Sequence, residues 1–185
     1  MAPVFKCAPM MWICWTLMLM LTNALHGCTP PAAPTSGGTI PVVIAGKTFT
    51  VEVAADDAVR MKGMGGRTSI AEDGGMIFAF ARSQRASVMT FVMRDCPIDI
   101  DIIYLDSAGR VQAFYEMKAE PPRGEGEGTA GDFSNAKYEG RLRQYSSKYR
   151  CTFAIELKAG TIKKIGVKDG DLIVFDADGL KKRAK

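Results

Sequence analysis

Three groups of residues have types and spacings that could do chemistry. The first is acidic: Asp95, Asp99 and Asp101 alternate with Cys96, Ile98, Ile100 and Ile102. In an extended strand such residues share one face, with neighbours two apart separated by roughly 6.6 Å. Carboxylates at that separation can share a cation or divide general-acid and general-base roles, so Asp99 and Asp101 are the candidate catalytic pair. The same alternation is also that of an ordinary solvated face of a half-buried strand, with Arg94 nearby. The second group is sulfur: Met61, Met64, Met76, Met89, Met93 and Met117, with Cys96. No metal is expected, but thioethers with a thiol suit Cu(I), and Met61, Met64, Met93 and Cys96 form that alternative set. Packing is the competing explanation, because Met fills irregular gaps in cores. The third group is Arg67 beside Gly63, Gly65 and Gly66. It reads either as an anion-binding nest with a guanidinium fork or as the end of a helix.

Other chemistries are excluded by where the scarce residues lie. The single His, His26, and both tryptophans, Trp12 and Trp15, fall in the first 27 positions. Lys6 followed by the apolar run from Met11 to Leu21 reads as a signal peptide over residues 1–27; a spanning helix would need about 20 apolar residues. Leu25, His26, Gly27 and Cys28 resemble the bacterial lipobox, with Cys28 as the acylated residue, although His26 stands where small residues are usual. Residues 28–38, rich in Pro, Ala, Ser and Gly, read as a flexible tether. The chain after the signal therefore lacks a histidine base, a Ser-His-Asp triad and His-ligated zinc. A Gly-x-Ser-x-Gly elbow and a phosphate loop are absent too. The net charge of +4 is spread along the chain, which gives no nucleic-acid footprint, and no cofactor is expected.

The elements that must position these residues read as short strands. Candidates are 40–44, 48–53, 76–80, 86–93, 98–105, 111–117, 152–157 and 172–175, each rich in β-branched or aromatic residues. Ala45, Gly46 and Lys47 join the first two as a hairpin. Asp56 and Asp57 cap a short helix ending near Met64, where the glycines begin. Residues 119–146 form a surface excursion whose second half carries Phe133, Ala136, Leu142 and Tyr145 at helical spacing. Residues 179–185 read as a solvated basic tail, leaving one domain over 39–178. The fold expected is mainly β, a sandwich or partly open barrel of about eight short strands with two or three short helices. Cys96 and Cys151 both fall on inward-facing strand positions, so a disulfide between them is expected as a candidate.

Several blocks carry a family resemblance. Arg60 to Met64 with Arg67, Gly74 to Phe80, Phe91 to Ile102, Asp106 to Val111, and Ala154 to Leu157 with Gly160 together resemble the family called domain of unknown function 192, over about residues 40–175. The chain departs from that pattern at Gly65, Val92, Asp95, Cys96 and Asp99, whereas Arg60, Arg67 and Asp101 match it. The resemblance implies a compact, mostly β, often exported domain without an established activity. It makes Arg60, Arg67 and Asp101 the residues to examine for a ligand, with an internal salt bridge to Asp101 or Glu156 as the other role for the arginines. The reading as a whole favours a binding domain over an enzyme. It expects an exported envelope domain, anchored to the membrane through lipid on Cys28, binding a small polar or saccharide ligand or a protein partner through 119–146. The alternative is a carboxylate-dependent hydrolase using Asp99 and Asp101.

Overall fold

The computed structural model describes residues 37–80 and 87–185. The expected signal segment, Cys28 and the tether up to residue 36 lie outside the described residues. Strands β1 (Thr39–Ile44) and β2 (Lys47–Ala54) form the expected hairpin. Its two turn residues, Ala45 (φ 47°) and Gly46 (φ 77°), are both left-handed, the geometry of the tight turn that matches strand twist. Helix α1 (Asp57–Lys62) is capped by Asp56, whose carboxylate accepts the Val59 N–H at 3.0 Å. The helix carries the chain to β3 (Gly74–Ala79), which lies parallel to β2. Strands β5 (Ile100–Leu105), β6 (Val111–Met117) and β8 (Phe153–Lys158) complete a six-stranded sheet in the order β1-β2-β3-β8-β5-β6. Strands β4 (Ser87–Phe91) and β7 (Tyr145–Cys151) pair separately as a second, two-stranded sheet.

The six-stranded sheet is buried on both faces, and alternate residues serve alternate cores. On one face Phe49, Val51, Ile77, Ile103 and Ile155 pack with Ile162 of α3 (Thr161–Ile165) and Leu180 of α4 (Ala177–Arg183). On the other face Met76, Phe78, Ile102, Tyr104 and Ala154 pack with Val59 of α1, Met89 of β4 and Tyr145 of β7. Edge-to-face aromatic contacts run across this second core, from Phe78 through Phe91, Tyr104 and Tyr115 to Tyr145. The Tyr104 hydroxyl reaches the Tyr145 carbonyl at 2.6 Å, which satisfies the polar end of a fully buried ring. The architecture is thus mainly β: among the described residues there are eight strands in two open sheets and four short helices, rather than the expected two or three helices.

Local readings differ from the structure in four places. Within the segment 98–105 the strand proper, residues 100–105, does not have a solvated face, because β5 lies inside the sheet and every residue of it is buried. The helical spacing over 132–146 belongs to two elements: α2 (Ala136–Arg141) stops before Leu142, and Tyr145 opens strand β7. The supposed strand 172–175 makes only isolated bridges, Val43 to Val174 and Arg110 to Leu172. Residues 179–185 are not a tail, since most of them belong to α4, capped by Asp176 and anchored by Leu180 in the core.

Candidate functional site

The second core does not close completely. Between α1, the loop that follows it, and β4 lies a cleft of about 480 Å³. Its apolar walls come from Met61, Met64, Phe78, Phe80, Met89, Phe91 and Met93, and Asp57, Arg60, Lys62, Thr90 and Arg94 line it as well. Glu156 also lines it. That residue sits on β8, between Ile155 and Leu157, which face the opposite core. Strand alternation therefore turns its carboxyl into the methionine-rich side. Only 5% of Glu156 is exposed, and its Oε2 has no hydrogen-bond partner. Burial pushes its pKa up to about 8, against the opposing pull of Arg67 and of a hydrogen bond from the Met64 N–H. The carboxyl is therefore largely protonated through neutral pH.

The glycine-rich stretch after α1 builds this corner. Gly63 ends the helix at φ 49°, and a Cβ there would stand 3.5 Å from the Phe78 ring and 3.7 Å from Glu156 Oε2. No anion-binding nest forms. The Gly63, Gly65, Gly66 and Arg67 N–H groups are spent on the carbonyls of Val59, Lys62, Asp95 and Met64. The Met64 N–H of this turn is directed at the Glu156 carboxyl.

The opposite wall is the turn Arg94–Asp95–Cys96, held from outside. Asp95 is left-handed (φ 50°), and its N–H donates to the Tyr138 hydroxyl at 2.8 Å. Its carboxylate takes two bonds from Arg123 and one from Gly131 N, so its pKa is held below the usual carboxylate range, chiefly by Arg123. Arg94 forms a two-point pair with Glu139. The Arg123 and Arg141 guanidiniums lie over the Tyr138 ring, 3.7 and 4.8 Å from its centroid. The excursion over 119–144 is thus ordered, and its polar groups fasten the cleft wall. Cys96 projects inward, its thiol donating to Ile98 O at 3.4 Å and Met64 O at 3.9 Å, and burial pushes its pKa up to about 11.

The expected site residues separate. Arg60 lines the cleft, but its guanidinium is engaged by Ala79 O, Asp57 and Lys185 O at 2.6 to 2.7 Å. Arg67 pairs with Glu52 at 2.5 and 2.7 Å rather than with Asp101 or Glu156, leaving its Nε without a partner. Asp101 lies on the helical side of the sheet, where its Oδ2 accepts the Ile162 N–H at 2.7 Å and its Oδ1 has no partner. Burial raises its pKa against that bond. Asp99, at the surface, binds Lys118 at 2.7 Å and Ala119 N at 2.9 Å. Asp99 and Asp101 thus face different surroundings, and neither lines the cleft. The sulfur set behaves differently: Met61, Met64, Met93 and Cys96 all line it. Cys96 and Cys151 lie in the same core, but both thiols are free. Each is engaged locally instead, Cys96 with the Met64 and Ile98 carbonyls and Cys151 with Ser147.

Glu156 itself was not among the expected site residues. The signal that marks it is a single acid inside the run Phe153, Ala154, Ile155, Leu157, a strand apolar on both faces. Among the described residues no group of three or more His, Cys, Asp and Glu side chains is placed to hold a metal ion. No described helix is long and apolar enough to cross a membrane.

Comparison with solved structures supports the fold. A "putative transcription regulator" from Sinorhizobium meliloti is similar with a TM-score of 0.59 and 24% identity, over 78% of this chain and 99% of its own. A protein of unknown function from Novosphingobium aromaticivorans is similar with a TM-score of 0.57 and 24% identity, over 80% of this chain and 94% of its own. No curated protein matches the chain. The model of the family DUF192, "Uncharacterized ACR", matches residues 40–175, and the chain belongs to that family.

Proposed function

We infer that this domain binds a small, polarisable, weakly hydrated ligand in the cleft beside Glu156, on an exported chain held to the membrane through lipid on Cys28. The observation that carries the reading is the bare Oε2 of Glu156, buried at a cleft walled in large part by methionine and phenylalanine side chains. An unpaired buried polar atom costs about 1–3 kcal/mol, and an occupant that pairs with it recovers that cost. Methionine and phenylalanine walls reward polarisable surface. A saccharide fits less well, because each of its hydroxyls would need a partner and, among the described residues, Glu156 Oε2 is the one buried side-chain polar atom of the lining left bare. The excursion's charges are committed to bracing the cleft wall, which favours a small ligand over a protein partner. A hydrolase built on Asp99 and Asp101 draws no support from carboxylates that point to different surroundings. Export and anchoring rest on the apolar run before Cys28 and on the tether after it.

The test uses the neutral fluorophore N-phenyl-1-naphthylamine. Its emission should rise saturably with the protein and be unaffected by maltose. Met61, at the cleft mouth and 46% exposed, can be enlarged without disturbing the core. Met61→Trp should weaken probe binding about tenfold with an unchanged circular dichroism spectrum. Equal binding by the variant, or displacement by maltose, would count against the cleft.

A further inference from the structure

We propose that the cleft is a site for a soft, closed-shell monovalent metal ion, Cu(I), with the Cys96 sulfur as its anionic ligand and the Met64 and Met93 thioethers completing the set. The inference rests on the reading of the cleft as a binding site and names its occupant. Five sulfur side chains line this one cleft, and they come from separate pieces of chain: Met61 from α1, Met64 from the loop after it, Met89 from β4, Met93 from its exit, and Cys96 from the braced turn. Met64 and Cys96 are already in contact, the Cys96 thiol lying 3.9 Å from the Met64 carbonyl.

A second observation points to an unfilled site. Asp57, Arg60, Lys62, Arg94 and Glu156 line the cleft; Asp57 is paired with Arg60 and Arg94 with Glu139, whereas Glu156 is nine-tenths buried and keeps a bare oxygen. An occupant of the cleft meets that oxygen. Hard divalent ions need several oxygen ligands and zinc needs four donors, usually thiolate, imidazole or carboxylate. A set of thioethers and one thiol selects instead for Cu(I). Binding involves no change of oxidation state. The Cys96 S–H bond breaks, the sulfur–metal bond forms with the sulfur's electron pair, and the proton leaves to solvent. The thiolate balances the ion's single charge, as the dry surroundings require. Met61, half-exposed at the mouth, is the thioether an incoming ion meets first.

Core packing alone would make all the buried methionines equivalent, and the fold contains its own control. Met76 and Met117 belong to the same core cluster but do not line the cleft. The experiment titrates the mature, detergent-solubilised protein anaerobically with Cu(I) supplied as its bicinchoninate complex, with Ag(I) as a redox-inert second probe. Native mass spectrometry should find one ion per chain, with a thiolate-to-copper charge-transfer band in the near ultraviolet. Cys96→Ala should abolish that band. Met93→Leu and Met64→Leu should each weaken binding about tenfold. Met117→Leu should bind as the unaltered protein does. Transfer of no copper, a band that survives Cys96→Ala, or an equal loss in Met117→Leu and Met93→Leu would overturn the assignment. If copper fails while N-phenyl-1-naphthylamine still binds and is lost in Met61→Trp, only the identity of the occupant falls. If both probes fail, the cleft reading falls with it.

Discussion

Glu156 shows how one side chain links the site to the stability of the fold. Its folded pKa lies near 8 against an ordinary value of 4.5, because burial disfavours the charged form. Below pH 4.5 it is protonated in both the folded and the unfolded chain, so it contributes no pH dependence. Between 4.5 and 8 the unfolded chain releases a proton that the folded chain keeps, and stability falls as pH rises, by on the order of a few kcal/mol in total. Urea midpoints should therefore drop across that window in the natural protein and stay flatter in Glu156→Gln, which should be the more stable of the two at pH 8. A steeper fall in the variant would contradict the assignment. Asp95 acts in the opposite sense: its pKa is lowered by Arg123, so its contribution is lost as pH falls through the folded value. In the sequence, Asp95, Asp99 and Asp101 drew attention by their regular spacing. What decides an acid's role is the layer it faces, and that depends on strand order, which spacing along one strand does not carry.

At the scale of elements, those with dense local signals were legible. Alternating apolar residues and a tight turn marked β1 and β2, the aspartate cap and glycine stop marked α1, and apolar runs marked β3, β5, β6 and β8. Elements held by a single anchor were not. Helix α4 has one fully buried side chain, Leu180, among charged neighbours, so its sequence reads as a tail. Leu180→Ala should cost about 2–5 kcal/mol through the cavity it leaves, whereas truncating the side chain of a solvated tail would cost nothing measurable. Strand β7 was hidden because Tyr145 continues the helical spacing of α2, although its ring belongs to the aromatic row across the sheet. The excursion shows the same limit. Tyr138 is fully buried, and its hydroxyl accepts the N–H of the left-handed Asp95. Tyr138→Phe should cost about 1 kcal/mol and loosen the turn that presents Cys96, read as faster amide exchange at residues 94–96. Unchanged exchange there would separate the excursion from the cleft.

For the whole molecule, a domain supported on both faces of one sheet should not need the segment before it. The two cores draw on residues from Val42 to Leu180, and β1 already has its partner in β2. Under the proposal of export and anchoring, the segment that precedes it serves as an address. From Cys28 to Gly37 the chain can extend at most about 3.4 Å per residue, enough to hold the domain near a bilayer without embedding it. One acyl chain gives marginal attachment and two give stable anchoring, so the diacylglycerol implied by the lipobox resemblance is the group that retention should depend on. Cys28→Ser should therefore move the protein from the membrane fraction to a soluble extracytoplasmic one. Its thermal midpoint and its binding of N-phenyl-1-naphthylamine should stay unchanged, because the described residues from Val42 to Leu180 supply both cores and the cleft with their own packing partners. Fractionation that leaves the variant in the membrane, or fatty-acid labelling that proceeds equally in both proteins, would show that Cys28 is not the anchor.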